Sequence, residues 1–525
     1  MLLVLLASAP LLGWWTYGLF DLDEGFYAAV TGSMIRHHEW ITPTLNGHAW
    51  FEKPILIYWL AKPAVMVFGP DVGPRLPSVM ATVGLYTLVA WFVRRHLGGL
   101  AAVMSLFVLA SSLLVVSLGR MMMTDSLLVL FFTAAMLTYW ESLVADARWR
   151  LVTAVCLGLA VLAKGPVALI LFGLIVVVYH LVARSRFTPG IAEEAEVADP
   201  RSHAEAQSTR RRGGDAPETE GGFHEEAGPD LALTRSSGIE PAVESTGRRG
   251  GASWFLGTFI LVAVIASWYV PAYLANGQAF VDEFLIKQNL GRFTGGDQAH
   301  RVPFPLGLIF YVVVLLLGMF PWILWLPGVL RAPVAEASGQ PNTRARELRA
   351  FLLVWTAIVF VFFTISSAKL QHYVLPCCPP LAILIGSYFA QKWQGLSREQ
   401  LRPKLLMTVG WLVAVGVIAQ LGFGLWYVHS GQAEAHALAL WLRSSDLPVV
   451  VYQLPRRQKD LGTGKRKLQE TSLPSLSFYV DGDLVEAEKL DEAPRPSLVF
   501  TRNGRAVHGG ELVRKVKYFS VYLLR

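Results

Sequence analysis

The sequence predicts an all-α polytopic membrane protein with interfacial helices in its first outer loop and a small α/β domain toward the C-terminus. Three observations carry this. Of 525 residues, 53% are hydrophobic and only 16% charged, where a soluble chain is nearer a quarter charged. The charges gather between apolar runs of about 20 residues, the length that crosses a roughly 30 Å hydrocarbon layer. From Gly431 onward those runs give way to short β-branched segments bounded by Pro, Gly and charge. A single soluble enzyme domain is excluded. The net charge of +7 says little about nucleic acid before the side of the membrane is known. Cys156 and the adjacent Cys377 and Cys378 offer neither a disulfide framework nor a spaced metal knuckle.

Taken in order, the runs are Leu2–Phe20, Leu76–Val93, Leu100–Leu118, Ser126–Val144, Leu151–Ala163, Val167–Ala183, Trp254–Ala275, Leu306–Leu326, Phe351–Ile365, Val374–Ala390 and Leu405–Val428, about eleven spans in all. Residues 1–20 read as a span rather than a cleaved signal, because no positive region precedes them and the apolar stretch runs past Ala7-Ser8-Ala9. Lys164-Gly165-Pro166 breaks what would otherwise be one over-long helix. The Arg94-Arg95, Arg148 and Arg150, Arg184 and Arg186, 331–349 and 392–404 clusters mark one side as cytoplasmic. Parity then puts the amino terminus inside, and the 21–73 loop, the Arg120, Lys164 and Lys369 turns, the 277–301 loop and the C-terminal region outside. The chain divides into a membrane half over 1–186, a polar insertion over 187–252, a second membrane half over 253–430 and an α/β domain over 431–525. The insertion is rich in Gly, Ala, Glu, Arg and Ser with few aliphatics, a composition expected to stay disordered. The last domain has a basic excess suited to an anionic envelope surface, or simply to a solvated face.

Ionisable residues gathered on one side between spans mark a site. The outer loops supply Asp21, Asp23, Glu24, Glu52, Lys53, Arg120, Asp125, Lys164, Lys287, Arg292, Asp297, His300, Arg301, Lys369 and His372. The first loop contains half-apolar stretches near Phe26–Arg36 and Pro54–Phe68, expected as amphipathic helices at the interface with Trp40, Trp50, Tyr58 and Trp59 at headgroup level. Each residue also has a structural reading. Asp23 and Glu24 suit a helix start, Glu52 and Lys53 a local ion pair, Arg120 and Asp125 another pair, Lys164 and Lys369 snorkelling anchors, and His300 a plain loop histidine.

Asp23-Glu24-Gly25-Phe26-Tyr27-Ala28, Leu45-Asn46-Gly47 and Phe51-Glu52-Lys53-Pro54 resemble the first outer loop of integral-membrane glycosyltransferases that use polyprenyl-phosphate sugars. That group includes protein O-mannosyltransferases and the lipid A aminoarabinose transferase branch. Arg120-Met121, Thr124-Asp125, Ala163-Lys164-Gly165-Pro166, Asn289 with Arg292-Phe293, His300 with Pro303, Pro321-Trp322 and Ser367 to Pro376 extend the likeness over about residues 1–430, broken by the insertion. The resemblance implies a GT-C-like fold and an inverting enzyme at the outer face of a bacterial inner membrane. It would move a sugar from an undecaprenyl-type phosphate to lipid A, lipopolysaccharide or another envelope lipid. Asp23 and Glu24 match the family's catalytic acidic pair, with Asp23 as base, and Lys53, Arg292 and Lys369 match its phosphate-facing cations. Arg120, Asp125, Lys164 and Tyr373 join them as substrate contacts, and Glu52 with His300 leaves room for a divalent metal. The family's basic residue after the acidic pair is replaced by Gly25-Phe26, so headgroup recognition is expected to differ, and His372 has no match. No Gly-rich phosphate loop precedes a helix, so no nucleotide is expected. The expected partners are the lipid-linked donor, a lipid or glycan acceptor and membrane lipid, with no nucleic acid. Two alternatives stand beside this reading: a protein O-mannosyltransferase, and a transporter or flippase, which would put charges in mid-span and repeat its halves.

Overall fold

The computed structural model describes residues 2–21, 23–187, 246–291, 306–332, 343–454, 473–487 and 489–525. Arg292, His300 and nearly all of the 187–252 insertion lie outside them.

The first apolar run does not form the helix expected over Leu2–Phe20. Helix α1 covers Leu2–Ala7, a 3-10 turn covers Ala9–Leu11, and the rest is irregular to Phe20. The buried Arg75 guanidinium explains why, since it donates to the carbonyls of Trp14, Tyr17 and Gly18 at 2.6, 2.8 and 2.7 Å. Non-helical backbone away from water persists only where such partners satisfy it.

Two helices occupy the first loop, α2 (Asp23–Arg36) and α3 (Leu56–Val72), separated by a hairpin of β1 (Thr44–Leu45) and β2 (His48–Ala49). The expected amphipathic interfacial helix near Phe26 is instead buried almost all round, from Glu24 to Met34. Its Gly25 and Gly32 permit this: a Cβ on Gly25 would lie 2.8 Å from Ser475 N, and one on Gly32 would lie 3.1 Å from the Phe478 ring.

The bundle follows. Helix α4 (Leu76–Leu97) leads to α5 (Gly99–Ala110) and α6 (Leu113–Gly119), which meet at a 66° bend. Next come α7 (Thr124–Val144), α8 (Trp149–Lys164) and α9 (Val167–Phe187), split where Gly165 takes φ +104° ahead of Pro166. Helix α10 (Thr246–Asn276) runs into a π-helical segment, Val281–Gly291. Helix α11 (Leu306–Gly318) is bent by 110° against Trp322–Arg331, which ends in α12 (Leu326–Arg331). Helices α13 (Thr343–Ile365), α14 (Cys378–Lys392) and α15 (Arg398–His429) complete it.

Among the described residues, six helices are long and apolar enough to cross a bilayer, or eight spans if each bent pair counts as one. The remaining runs make shorter helices, because Arg75 claims the first and Gly165-Pro166 divides the fifth from the sixth. Helix α7 packs on α8, α8 on α10, and α5 on α14. Small residues allow the close approach; a Cβ on Gly158 would come within 2.7 Å of Val264.

Beyond Gly431 lie α16 (Gln432–Leu442), β3 (Val449–Tyr452), α17 (Ser475–Val480), β4 (Val485–Ala487), β5 (Ser497–Arg502), β6 (Gly510–Lys515) and β7 (Phe519–Leu524). The strands form one sheet in the order β4-β3-β5-β7-β6, parallel across β4-β3-β5 and antiparallel across β5-β7-β6. Helix α17 covers α2. The Asp21 carboxylate fastens the two by accepting from Ser475 N at 2.9 Å and Ser475 Oγ at 2.7 Å. Burial raises that carboxyl to about 7, against the Ser475 hydrogen bonds that favour its charged form.

Candidate active site

Separate parts of the chain meet at a cavity of about 510 Å³. Glu52 and Lys53 reach it from the loop after β2, Asp125 from the first turn of α7, Lys164 from the end of α8 and Tyr373 from the 3-10 turn before α14. The remaining wall is largely apolar, with Leu128, Ile170, Leu290 and Phe362, and Ile170 and Leu290 are exposed at its rim. The cavity therefore pairs a charged end with a greasy flank. The helix break at Gly165 sets Lys164 at the charged end, and a Cβ there would lie 2.8 Å from Asn289 Oδ1 of the π-helical segment.

Lys164 Nζ donates to both Asp125 oxygens at 2.6 Å and lies 5.3 Å from the Tyr373 ring centre. His372 Nε2 is 4.0 Å from Asp125 Oδ2, with Asp23, Lys53 and Lys164 within electrostatic reach of the imidazole. The Tyr27 phenol on α2 is pushed well up, first by burial and then by the negative charges of Asp23, Asp125 and Glu52 and the neighbouring Tyr58. Carboxylates from three elements thus surround one phenol. Glu52, Lys53, Asp125, Lys164 and Tyr373 line one cavity, and Asp23 lies within electrostatic reach of Tyr27 and His372.

Three other expectations are corrected. Glu24 faces away from the cavity, fully buried in a bidentate pair with Arg75 Nε and Nη2 at 2.6 and 2.7 Å. Its oxygens also accept from Met122 N at 2.7 Å and Phe20 N at 2.8 Å. No lone pair remains for a reacting proton, so this carboxylate belongs to the scaffold.

Arg120 does not join Asp125. It is buried against the first run and α15, donating to Pro10 O at 3.2 Å and to Gln420 Oε1, beneath Tyr17 and Phe423. Lys369 donates to the carbonyls of Phe363 at 3.0 Å, Thr364 at 2.7 Å and Ser366, closing the C-terminus of α13. Burial lowers its pKa. All three ammonium protons are thus committed to backbone rather than to a phosphate.

Phe26, where the resemblance leads one to look for a cation, is buried against Trp50 with ring centres 5.0 Å apart. Among the described residues no group of three His, Cys, Asp or Glu side chains converges as a metal ligand set. Glu52 lines the cavity, and its expected partner His300 lies outside the described residues. Sequence reasoning missed Arg75, Tyr27 and the place of His372. A lone arginine just ahead of a span, downstream of an acidic pair, was the available signal for Arg75.

A family profile described as dolichyl-phosphate-mannose-protein mannosyltransferase matches residues 4–187. In sequence and in fold the chain is thus similar to integral-membrane proteins named as transferases of lipid-phosphate-linked sugars. Within that class it is similar to the undecaprenyl phosphate-alpha-4-amino-4-deoxy-L-arabinose arabinosyl transferases. The protein of that name from Edwardsiella ictaluri is 27% identical over 413 residues, 77% of this chain and 61% of the relative. That from Pectobacterium carotovorum is 28% identical over 450 residues, 82% of this chain and 65% of the relative. The chain thus spans under two thirds of the length of these relatives. The crystal structure of ArnT from Cupriavidus metallidurans bound to undecaprenyl phosphate has the same fold, with TM-score 0.68 at 16% identity over 99% of this chain and 98% of that one.

Proposed function

We propose that the protein is a glycosyltransferase that moves a sugar from a polyprenyl phosphate of undecaprenyl type to an envelope glycolipid such as lipid A, with inversion. The observation that carries this is the cavity itself. Lys53, Lys164, Asp125 and Tyr373 stand at one end and an apolar flank opens at the rim, matching a phosphate headgroup on a lipid chain. The names of the relatives support the same class of donor.

In this reading the acceptor oxygen attacks the anomeric carbon, its proton passes to Asp23, and the carbon–oxygen bond to phosphate breaks with the electron pair leaving on the phosphate. The phosphodiester becomes a dianionic monoester, so cations stabilise the leaving group more in the transition state than in the ground state. Lys53 and Lys164 supply them, with Arg292 as a third. A divalent ion on Glu52 and His300 stays part of the proposal, and no step above passes through it. We place the site on the periplasmic face of a bacterial inner membrane. We also count eleven crossings, adding Leu2–Leu11, α8 and Val167–Ala183 to the long helices and bent pairs. The last domain, with its basic excess, then faces the envelope.

Mass spectrometry of lipid A and surface glycans from cells with and without the gene tests the reading. A mass shift on lipid A is expected. The profile match over 4–187 favours a second acceptor, protein, and loss of a protein-bound glycan with unchanged lipid A would establish that. Unchanged glycans with altered solute uptake would favour transport instead.

A further inference from the structure

Asp125 is a buried carboxylate with two cation-forming neighbours. Lys164 holds both of its oxygens at 2.6 Å, while His372 Nε2 waits 4.0 Å from Oδ2, near contact without a hydrogen bond. The arrangement raises a difficulty for the proposed reaction. Lys164 lines the cavity but already gives two N–H donors to Asp125, so to serve a phosphate it must loosen that grip. Loosening it alone would strand a buried carboxylate without its counter-charge, which is strongly unfavourable. His372 is placed to take over, being only 14% exposed and adjacent in sequence to the cavity-lining Tyr373.

We infer that His372 is a positioning residue that takes Asp125 from Lys164 when the phosphate of the lipid donor enters, releasing Lys164 to that phosphate. This rests on the donor class proposed above. The charges balance. One negative charge arrives with the phosphodiester, one proton is taken from solvent onto the imidazole, the imidazolium pairs with Asp125, and Lys164 pairs with the phosphate. Burial is the first influence on the imidazole and opposes its protonation; the charged groups that face it come from every neighbouring element, Asp125 on α7, Lys164 on α8, Asp23 on α2 and Lys53 on the first loop. The two lysines add to the opposition and the two carboxylates favour the charged form. An added anion tips that balance, so donor binding and proton uptake are linked. His372 thereby acts through Asp125 and Lys164 and not on the reacting atoms.

The test is isothermal calorimetry of the full-length protein in lipid nanodiscs with a polyprenyl phosphate methyl ester, a diester whose single charge does not titrate near neutrality. Titrations in buffers of different ionisation enthalpy give the protons taken up on binding. Wild type is expected to take up close to one proton per lipid over part of the neutral range, with affinity falling by up to about tenfold per pH unit there. His372→Gln is expected to bind without that uptake, about tenfold more weakly at the acidic end, with a flat pH profile. Binding by wild type with no proton uptake, or uptake that persists in His372→Gln, overturns the inference and leaves the donor assignment standing. Failure of the wild type to bind the diester overturns both. The wild-type pH dependence decides the matter even if the variant does not fold.

Discussion

Replacing Glu24 by Gln separates a scaffold carboxylate from a catalytic one. The change keeps the shape and removes the charge, leaving Arg75, 1% exposed, without a counter-ion and with only one amide oxygen beside the carbonyls of Trp14, Tyr17 and Gly18. Breaking a buried ion pair from one side costs about 3–5 kcal/mol. The amide adds to this whichever way it turns. Oε1 receives Arg75 Nε and Met122 N, and Oε2 receives Arg75 Nη2 and Phe20 N, so the new NH₂ faces two donors. Unsatisfied buried donors cost about 1–3 kcal/mol each, which pushes the total to the upper end of that range. A chain with the usual net stability of about 5–15 kcal/mol would survive at low temperature. Thermal unfolding of the purified protein, read beside sugar transfer per folded molecule in the cold, is the assay. A strongly lowered Tm with near-normal turnover of the folded fraction is expected. A wild-type melting curve with turnover reduced more than about a hundredfold, the scale of a lost acid or base, would put Glu24 back in the reaction.

Asp23→Asn should behave in the opposite way, melting like wild type while transfer falls by about 10²–10⁴; retained turnover removes Asp23 as the base. Lys53→Gln should lower kcat/KM for the lipid donor about ten- to hundredfold with little change in Tm, since one charge-assisted phosphate contact is worth about 1.5–3 kcal/mol, and an unchanged kcat/KM counts against Lys53 as a phosphate contact. Lys369→Met removes the donors that close α13 and should lower Tm by an amount equivalent to about 2–3 kcal/mol with donor KM unaltered; a raised KM at constant Tm would return Lys369 to the phosphate. For Asp21, whose folded pKa of about 7 lies above the unfolded value near 3.9, the stabilisation is complete below about 3.9, falls as pH rises from there and is fully lost above about 7. Hydrogen exchange across Ser475–Val480 should therefore accelerate beyond its intrinsic pH dependence between about pH 4 and 7 and follow it again above neutrality, and Asp21→Asn should abolish that step; its persistence would assign the titration elsewhere.

Hydropathy located most of the bundle because a membrane helix is a local property: α4, α7, α13 and α15 each contain the run that marked them. Gly165-Pro166 was equally local and gave the break before α9. The first run was misread because its carbonyls answer to Arg75, a partner beyond its own window. The burial of α2 was illegible for the same reason at greater range, since Asp21 and Ser475 are 454 residues apart. Motif order picked out Glu52, Lys53, Asp125, Lys164 and Tyr373, which line one cavity, yet residue type alone could not tell that Glu24, Arg120 and Lys369 are held by other partners. A carboxylate or a cation near a membrane edge reads alike whether it meets substrate, a counter-ion or a helix end, and only three-dimensional partners distinguish the cases.

The cover that α17 lays over α2 has a consequence for how the molecule is made. The loop bearing Asp23 emerges early from the ribosome, but the residues that roof it, Ser475–Val480, arrive after α15, the last long apolar helix among the described residues. Until then Gly25 and Gly32 present a bare backbone groove where Phe478 and Ser475 will sit. Completion of this cover is thus a late event in synthesis, and a nascent chain stalled before Ser475 should carry the described helices up to α15 with α2 still unroofed.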